Sequence, residues 1–135
     1  MRVVLDTNIL VSALLNRHGN PALVLTAAFG GRFDLVISPE VLAEYDLVLP
    51  RPSFKFPAAD VRETLSALRR IGRLVHPTRT VAAAAHEPDN RFLECAEAGR
   101  ADFIVTGNTK HFPAKWGKTR IIRPHTLLKL FLPQE

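Results

Sequence analysis

Cysteine is nearly missing from this 135-residue chain: Cys95 stands alone, so no intramolecular disulfide can form and a disulfide-stapled secreted scaffold is excluded. Its setting, Phe92-Leu93-Glu94-Cys95-Ala96, suits a small buried filler rather than a nucleophile, and the lack of crosslinks tilts the expectation towards a reducing, cytoplasmic compartment. Long apolar runs are missing as well. Stretches such as residues 81–85 fall far short of the about 20 residues that span a bilayer. Met1-Arg2 leads straight into a strand-like run, so neither a signal peptide nor a membrane association is expected. Among seven glycines, the pair Gly30-Gly31 is far from a phosphate-cradling loop, and no serine has a nucleophile-elbow context. The five histidines, His18, His76, His86, His111 and His125, are scattered at no metal-ligand spacing, and each reads as a surface or core residue.

What remains is a moderately apolar, basic chain. With 47% hydrophobic residues it can bury one core and not two, so residues 1–135 are read as one domain. Eighteen Lys and Arg against thirteen Asp and Glu give a net charge of +5. The resulting pI near 10.0 favours an anionic partner, whether nucleic acid, acidic protein or lipid.

Strand-like runs fall at residues 2–5, 33–38, 102–106 and 120–123, with a weaker one at 73–76, and helical patterns separate them. Helices are expected over 8–16, 21–29, 39–49, 58–72, 89–99 and 124–131. Ser38-Pro39-Glu40 is a helix start, with Ser38 as cap, Pro39 in the first turn and Glu40 facing the positive end. Pro50-Arg51-Pro52 should stop that helix, and 50–57, with Phe54-Lys55-Phe56, reads as an exposed loop or arm. Short strands alternating with helices predict an α/β fold: a three-layer α/β/α domain around a parallel sheet of four to five strands.

Against that frame three acids stand out. Asp6 closes the run Val3-Val4-Leu5, and a carboxylate at the end of a buried strand is costly unless a cation, donors or water reach it. Glu44 lies within the apolar stripe of its helix, one turn from Val41 and Val48. Asp89 opens a helix. Plainer roles exist for each: a helix cap for Asp6 or Asp89, an arginine partner for Glu44. Brought together, the three would raise one another's pKa unless a cation sat between them, and Mg²⁺ or Mn²⁺ suits such oxygen ligands.

These residues fall in motifs that resemble the PIN-domain nucleases and, within them, the VapC-like toxins of toxin–antitoxin pairs. Four segments carry the similarity in order: Val4-Leu5-Asp6-Thr7-Asn8-Ile9-Leu10, Ser38-Pro39-Glu40-Val41-Leu42-Ala43-Glu44-Tyr45, Glu87-Pro88-Asp89-Asn90-Arg91-Phe92-Leu93-Glu94, and Ala101-Asp102-Phe103-Ile104-Val105-Thr106-Gly107-Asn108. The resemblance implies metal-dependent endoribonuclease activity, an RNA substrate, a small antitoxin partner and a homodimer. It places the catalytic and metal-binding acids on Asp6, Glu44 and Asp89, with Asn8 orienting Asp6, Thr106 holding the metal or its water, and Asn108 supporting the site. Many relatives carry an acid where this chain has Asn108, and often one where it has His86. A neutral amide there keeps open a weakly active or inactive PIN fold that binds or assembles on RNA. A structure-specific DNA nuclease is the third possibility, disfavoured because 135 residues leave no room for an added DNA-binding domain. An aspartyl phosphatase would want a second Asp two residues after Asp6, where Asn8 stands. For RNA contacts the expected cations are Arg62, Arg69 and Arg73, on one stripe of the 58–72 helix, and Lys110.

Overall fold

The computed structural model describes residues 1–131. Six strands, β1 (Arg2–Leu5), β2 (Asp34–Ile37), β3 (Arg73–Leu74), β4 (Phe103–Val105), β5 (Lys115–Trp116) and β6 (Thr119–Ile122), form one sheet in the order β3-β2-β1-β4-β6-β5. Every pairing is parallel except β5 with β6. Consecutive residues of β1, β2 and β4 are buried rather than alternate ones, as expected when helices cover both faces of a parallel sheet. Six helices supply that cover: α1 (Thr7–Leu15), α2 (Asn20–Phe29), α3 (Pro39–Val48), α4 (Ala58–Ile71), α5 (Asn90–Gly99) and α6 (Pro124–Lys129). None is long and apolar enough to cross a membrane.

Local chemistry explains most boundaries. Ser38 Oγ accepts from the Val41 amide at 3.1 Å and Pro39 fills the first turn, so α3 starts where the sequence predicts. α4 buries Val61 and Leu68 and ends before Gly72, where a Cβ would lie 2.5 Å from Ile37 Cδ1. Only glycine lets α4 turn so closely over β2.

The structure departs from the sequence expectation in two places. The sheet has six strands, not four to five, and one of them is antiparallel: β5 is joined to β6 by the two-residue loop Gly117-Lys118, with Gly117 at φ 59°. Two residues, Lys115 and Trp116, are too few to show any periodicity, and the glycine turn is the only signal of the hairpin. Asp89 does not cap α5. The segment Glu87–Asp89 forms a 3-10 turn, so Asp89 has helical backbone angles and makes no capping bond, whereas a cap needs extended backbone.

The topology decides where a site can form. From β1 the chain steps outward through β2 to β3, then returns to lay β4 against the other side of β1. Strand order reverses between β1 and β4, and ligands of open α/β sheets bind in the crevice at the carboxyl ends of strands flanking such a point. Asp6 and Thr106 are the first residues beyond those two strands.

Candidate active site

Asp6 straddles two elements. Its amide still donates to the Val105 carbonyl at 3.0 Å, while its own carbonyl accepts from the Ile9 amide at 3.0 Å and opens α1. Its side chain makes no capping bond to that helix. The carboxylate, 6% exposed, instead accepts from Thr106 Oγ1 at 2.7 Å. Burial is the main reason its pKa rises to about 6; the charges of Asp89 and Glu44 push the same way, and the bond from Thr106 and the nearby Thr7 backbone amide oppose it.

Thr106 is fully buried and its bonding is saturated. Its oxygen accepts from the Asn108 amide at 3.0 Å and from Asn8 Nδ2 at 3.4 Å, so its single proton is committed to Asp6. Asn8 reaches across once more, its Oδ1 accepting from the Gly107 amide at 3.2 Å. Asn8 therefore acts on Asp6 through Thr106 rather than by touching it, and the Thr106 hydroxyl orients Asp6. Asn108 contributes its backbone to this network and is exposed.

Glu44 is half-buried on α3. The adjacent Tyr45 fixes that helix: its hydroxyl, wholly buried, donates to the Leu5 carbonyl at 2.5 Å, one residue before Asp6. Burial, aided by the charges of Cys95, Asp6 and Glu44, holds the Tyr45 pKa well above its usual value, so it stays a donor. The arginine pair on α3 belongs to Asp46, which Arg69 of α4 meets at 2.5 Å, and not to Glu44.

Asp89 approaches from the segment before α5. Asn90, 2% exposed, accepts from the amides of Ala83 and Ala84 at 3.0 and 2.8 Å, and buried Glu94 accepts from the Val81 amide at 2.9 Å. These bonds clip the preceding loop onto α5. His111 Nδ1 comes to 3.3 Å from Asp89 Oδ2 without hydrogen-bond alignment, which leaves that buried oxygen without a bonding partner. Burial raises the Asp89 pKa, opposed by His86 and His111, whose rings lie 6.0 Å apart. The two histidines, whose spacing shows no metal pattern, thus flank one of the three acids. Tyr45, Asn90 and Glu94 are likewise not anticipated by the sequence reading; Asn90 and Glu94 are polar residues on the buried side of α5, which is the one sequence signal that could have marked them.

The acidic donors here are all carboxylate oxygens, and both shielded ones bear the cost of burial, Asp6 with no protein cation on it and Asp89 with only the imidazoles of His86 and His111 beside it. That donor set fits a hard divalent ion. It is a charged neighbourhood rather than a closed shell: among the described residues no three His, Cys, Asp or Glu side chains are grouped closely enough to hold a metal ion as they stand. The remaining candidates scatter. Arg62 is exposed on α4, Arg69 is tied to Asp46, and Arg73 lies in β3, at the sheet edge away from β4, because α4 ends at Ile71. Lys110 is exposed on the short turn Thr109–His111, next in sequence to the His111 that meets Asp89. Cys95 is buried with its thiol pushed up to about 12 mainly by burial, an inert filler as expected.

Residues 2–110 match the family described as PIN domain. The chain belongs to the PIN-domain family. Proteins of this family are generally nucleases. An uncharacterized protein from Methanocaldococcus jannaschii is 27% identical over 111 residues, covering 80% of this chain and 71% of its own. A crystal structure of VapBC2 from Rickettsia felis bound to a DNA fragment from their promoter matches in fold with a TM-score of 0.57 at 18% identity, covering 91% of this chain and 98% of that one. In the PIN domain described here, the matched span contains Asp6, Glu44, Asp89 and Asn108, and stops short of the β5–β6 hairpin and α6.

Proposed function

We propose that this PIN domain is a Mg²⁺- or Mn²⁺-dependent endoribonuclease, the toxin of a type II toxin–antitoxin pair. The observation that carries the proposal is Asp6: a buried carboxylate at the switch point, oriented by Thr106 and under the charges of Asp89 and Glu44. Asp6, Glu44 and Asp89 would hold the ion. When bound, such an ion lowers the pKa of a coordinated water and stabilises charge on the phosphate and the leaving oxygen. The protein's own part is positional. Thr106 fixes the rotamer of Asp6, Tyr45 fixes the helix that presents Glu44, and Asn90 with Glu94 fixes the segment that presents Asp89. No side-chain nucleophile is needed. Lys110, on the turn whose His111 meets Asp89, suits a substrate phosphate. The basic balance suits an acidic antitoxin, the VapBC2 likeness supports a partner of that kind, and a homodimer in the cytoplasm accords with the same reading.

Asn108 supports a second possibility, a PIN fold that binds RNA and cuts it weakly, because the amide adds no negative charge beside the three acids. Both are tested by incubating purified protein with mixed structured and single-stranded RNA in Mg²⁺, Mn²⁺ or EDTA, beside Asp6→Asn. Cleavage in Mn²⁺ that is lost with EDTA and with Asp6→Asn is the expected result. Cleavage surviving both sinks the metal mechanism, and binding without cleavage favours the second possibility. For the toxin role, induced expression should arrest growth, with rescue by co-expression of an adjacent small open reading frame.

A further inference from the structure

The excess positive charge of this molecule is gathered in one stretch of sequence, and four of its six cations, Lys115, Lys118, Arg120 and Arg123, lie on or next to the β5–β6 hairpin at one edge of the sheet. From Phe103 to Phe131 the chain has Lys110, Lys115, Lys118, Arg120, Arg123 and Lys129 and no Asp or Glu, whereas the rest, with twelve Lys and Arg against thirteen acids, is nearly balanced. All six cations are exposed. β5 and β6 form the outer edge beyond β4, and in their register Lys115 and Arg120 stand directly opposite each other. Like charges at facing positions of an antiparallel pair are destabilising, so their retention points to an anionic counterpart outside the domain. Among the described residues the one ion pair these six make is Lys118 with Asp102, at 3.3 Å.

The edge is continuous with the acids. A concavity of about 390 Å³ lies beside the hairpin, with Thr109, Lys110, Arg123 and Thr126 as its polar lining and Phe112 and Ile121 as its apolar lining. Arg123 donates to the Gly107 carbonyl at 3.0 Å and to Thr109 Oγ1 at 3.3 Å, neutral acceptors that leave its charge uncompensated. The same turn ends at His111, against Asp89. An acidic centre repels a phosphate backbone, so a nucleic acid reaching it must be held by cations nearby, and a groove with apolar walls and cationic rims suits a single strand whose unstacked base lies between bound phosphates.

We infer that a single-stranded polynucleotide runs along this hairpin edge, Lys110 and Arg123 taking the phosphate nearest the acids and Lys115 and Arg120 the ones beyond. That the strand is RNA rests on the ribonuclease proposal above; the track itself does not. The probe is a fluorescent single-stranded RNA oligonucleotide in EDTA, followed by anisotropy across a salt series. Lys115→Glu combined with Arg120→Glu should weaken binding at least tenfold at low salt and flatten the log–log salt slope by roughly 1.4, about 0.7 per lost phosphate contact on a single strand. Arg32→Glu with Arg70→Glu, an equal charge change just before β2 and on α4, the helix that leads into β3 at the other edge of the sheet, should change binding less than twofold. The neutral pair Lys115→Gln with Arg120→Gln, relieved of cross-strand repulsion, should melt no lower than the parent and still bind more weakly. In Mn²⁺ the Glu pair should raise KM and leave kcat within about twofold. The track is overturned if the Glu pair binds RNA as the parent does, if the control pair weakens binding equally, or if only binding of an acidic polypeptide such as polyglutamate falls. Binding lost in the Glu pair of a parent that never cleaves overturns the nuclease proposal and leaves the track standing.

Discussion

Replacing Asp6 by Asn should make the metal-free protein more stable, and the gain should depend on pH. Asp6 is 6% exposed and its pKa is raised from 3.8 to about 6, chiefly by burial. A carboxyl raised in the folded state binds its proton more tightly there than in the unfolded chain. Its stabilising contribution is therefore complete below pH 3.8 and is lost as pH rises through about 6. A shift of roughly 2 units corresponds to about 3 kcal/mol forfeited at pH 7.5, with little solvent screening at so buried a site. Asn8 and Asn108 still supply donors to Thr106, and the amide oxygen introduced at position 6 can accept its proton, so Asp6→Asn should recover about 2 kcal/mol of that loss. For a domain of this size that is roughly 8 °C in Tm. Thermal unfolding in EDTA between pH 4.5 and 8 is the assay. The variant should melt well above the parent at pH 7.5, and the difference should shrink steadily as pH falls from about 6 toward 4.5. A variant less stable than the parent at pH 7.5, or a difference flat with pH, would refute the assignment of Asp6 as a strained, cation-seeking carboxylate.

Thr106→Val removes the proton that orients Asp6 and strands the Asn108 amide and Asn8 Nδ2; about 1–3 kcal/mol of stability should go, with the Asp6 pKa moving up further, read by NMR titration, and Thr106→Ser should restore both. Asn90→Ala frees the amides of Ala83 and Ala84, so hydrogen exchange across the loop ahead of Asp89 should accelerate while the central strands stay protected. Asn108→Asp adds a carboxylate beside the acids and should tighten Mn²⁺ binding several-fold by calorimetry; unchanged affinity would separate position 108 from the metal centre.

Much of this architecture is legible in the sequence because it is carried by local chemistry. Ser38-Pro39-Glu40 fixes the start of α3 through groups within four residues of one another, and the four main strands announce themselves as apolar runs. Asp6 and Glu44 are legible for the opposite reason: each is an acid where an apolar residue would satisfy the pattern. Asp89 is visible as an acid but reads as a cap, since nothing local reveals that Glu87-Pro88 winds a 3-10 turn that denies it the extended backbone a cap requires. Contacts that span the chain leave no local trace. Thr106 meets Asp6 across 100 residues, and His111 meets Asp89 from a different loop. Arg69 looks like one of a row of free cations only because its partner, Asp46, is on another helix.

The central claim is that Asp6, Glu44 and Asp89 together hold one divalent cation. Calorimetric titration of Mn²⁺ into the parent, Asp6→Asn, Glu44→Gln and Asp89→Asn tests it most directly. The parent should bind with an affinity that weakens as pH falls through about 6, where Asp6 takes up its proton, and each variant should bind at least tenfold more weakly. Parent-like Mn²⁺ binding in all three variants would contradict the account.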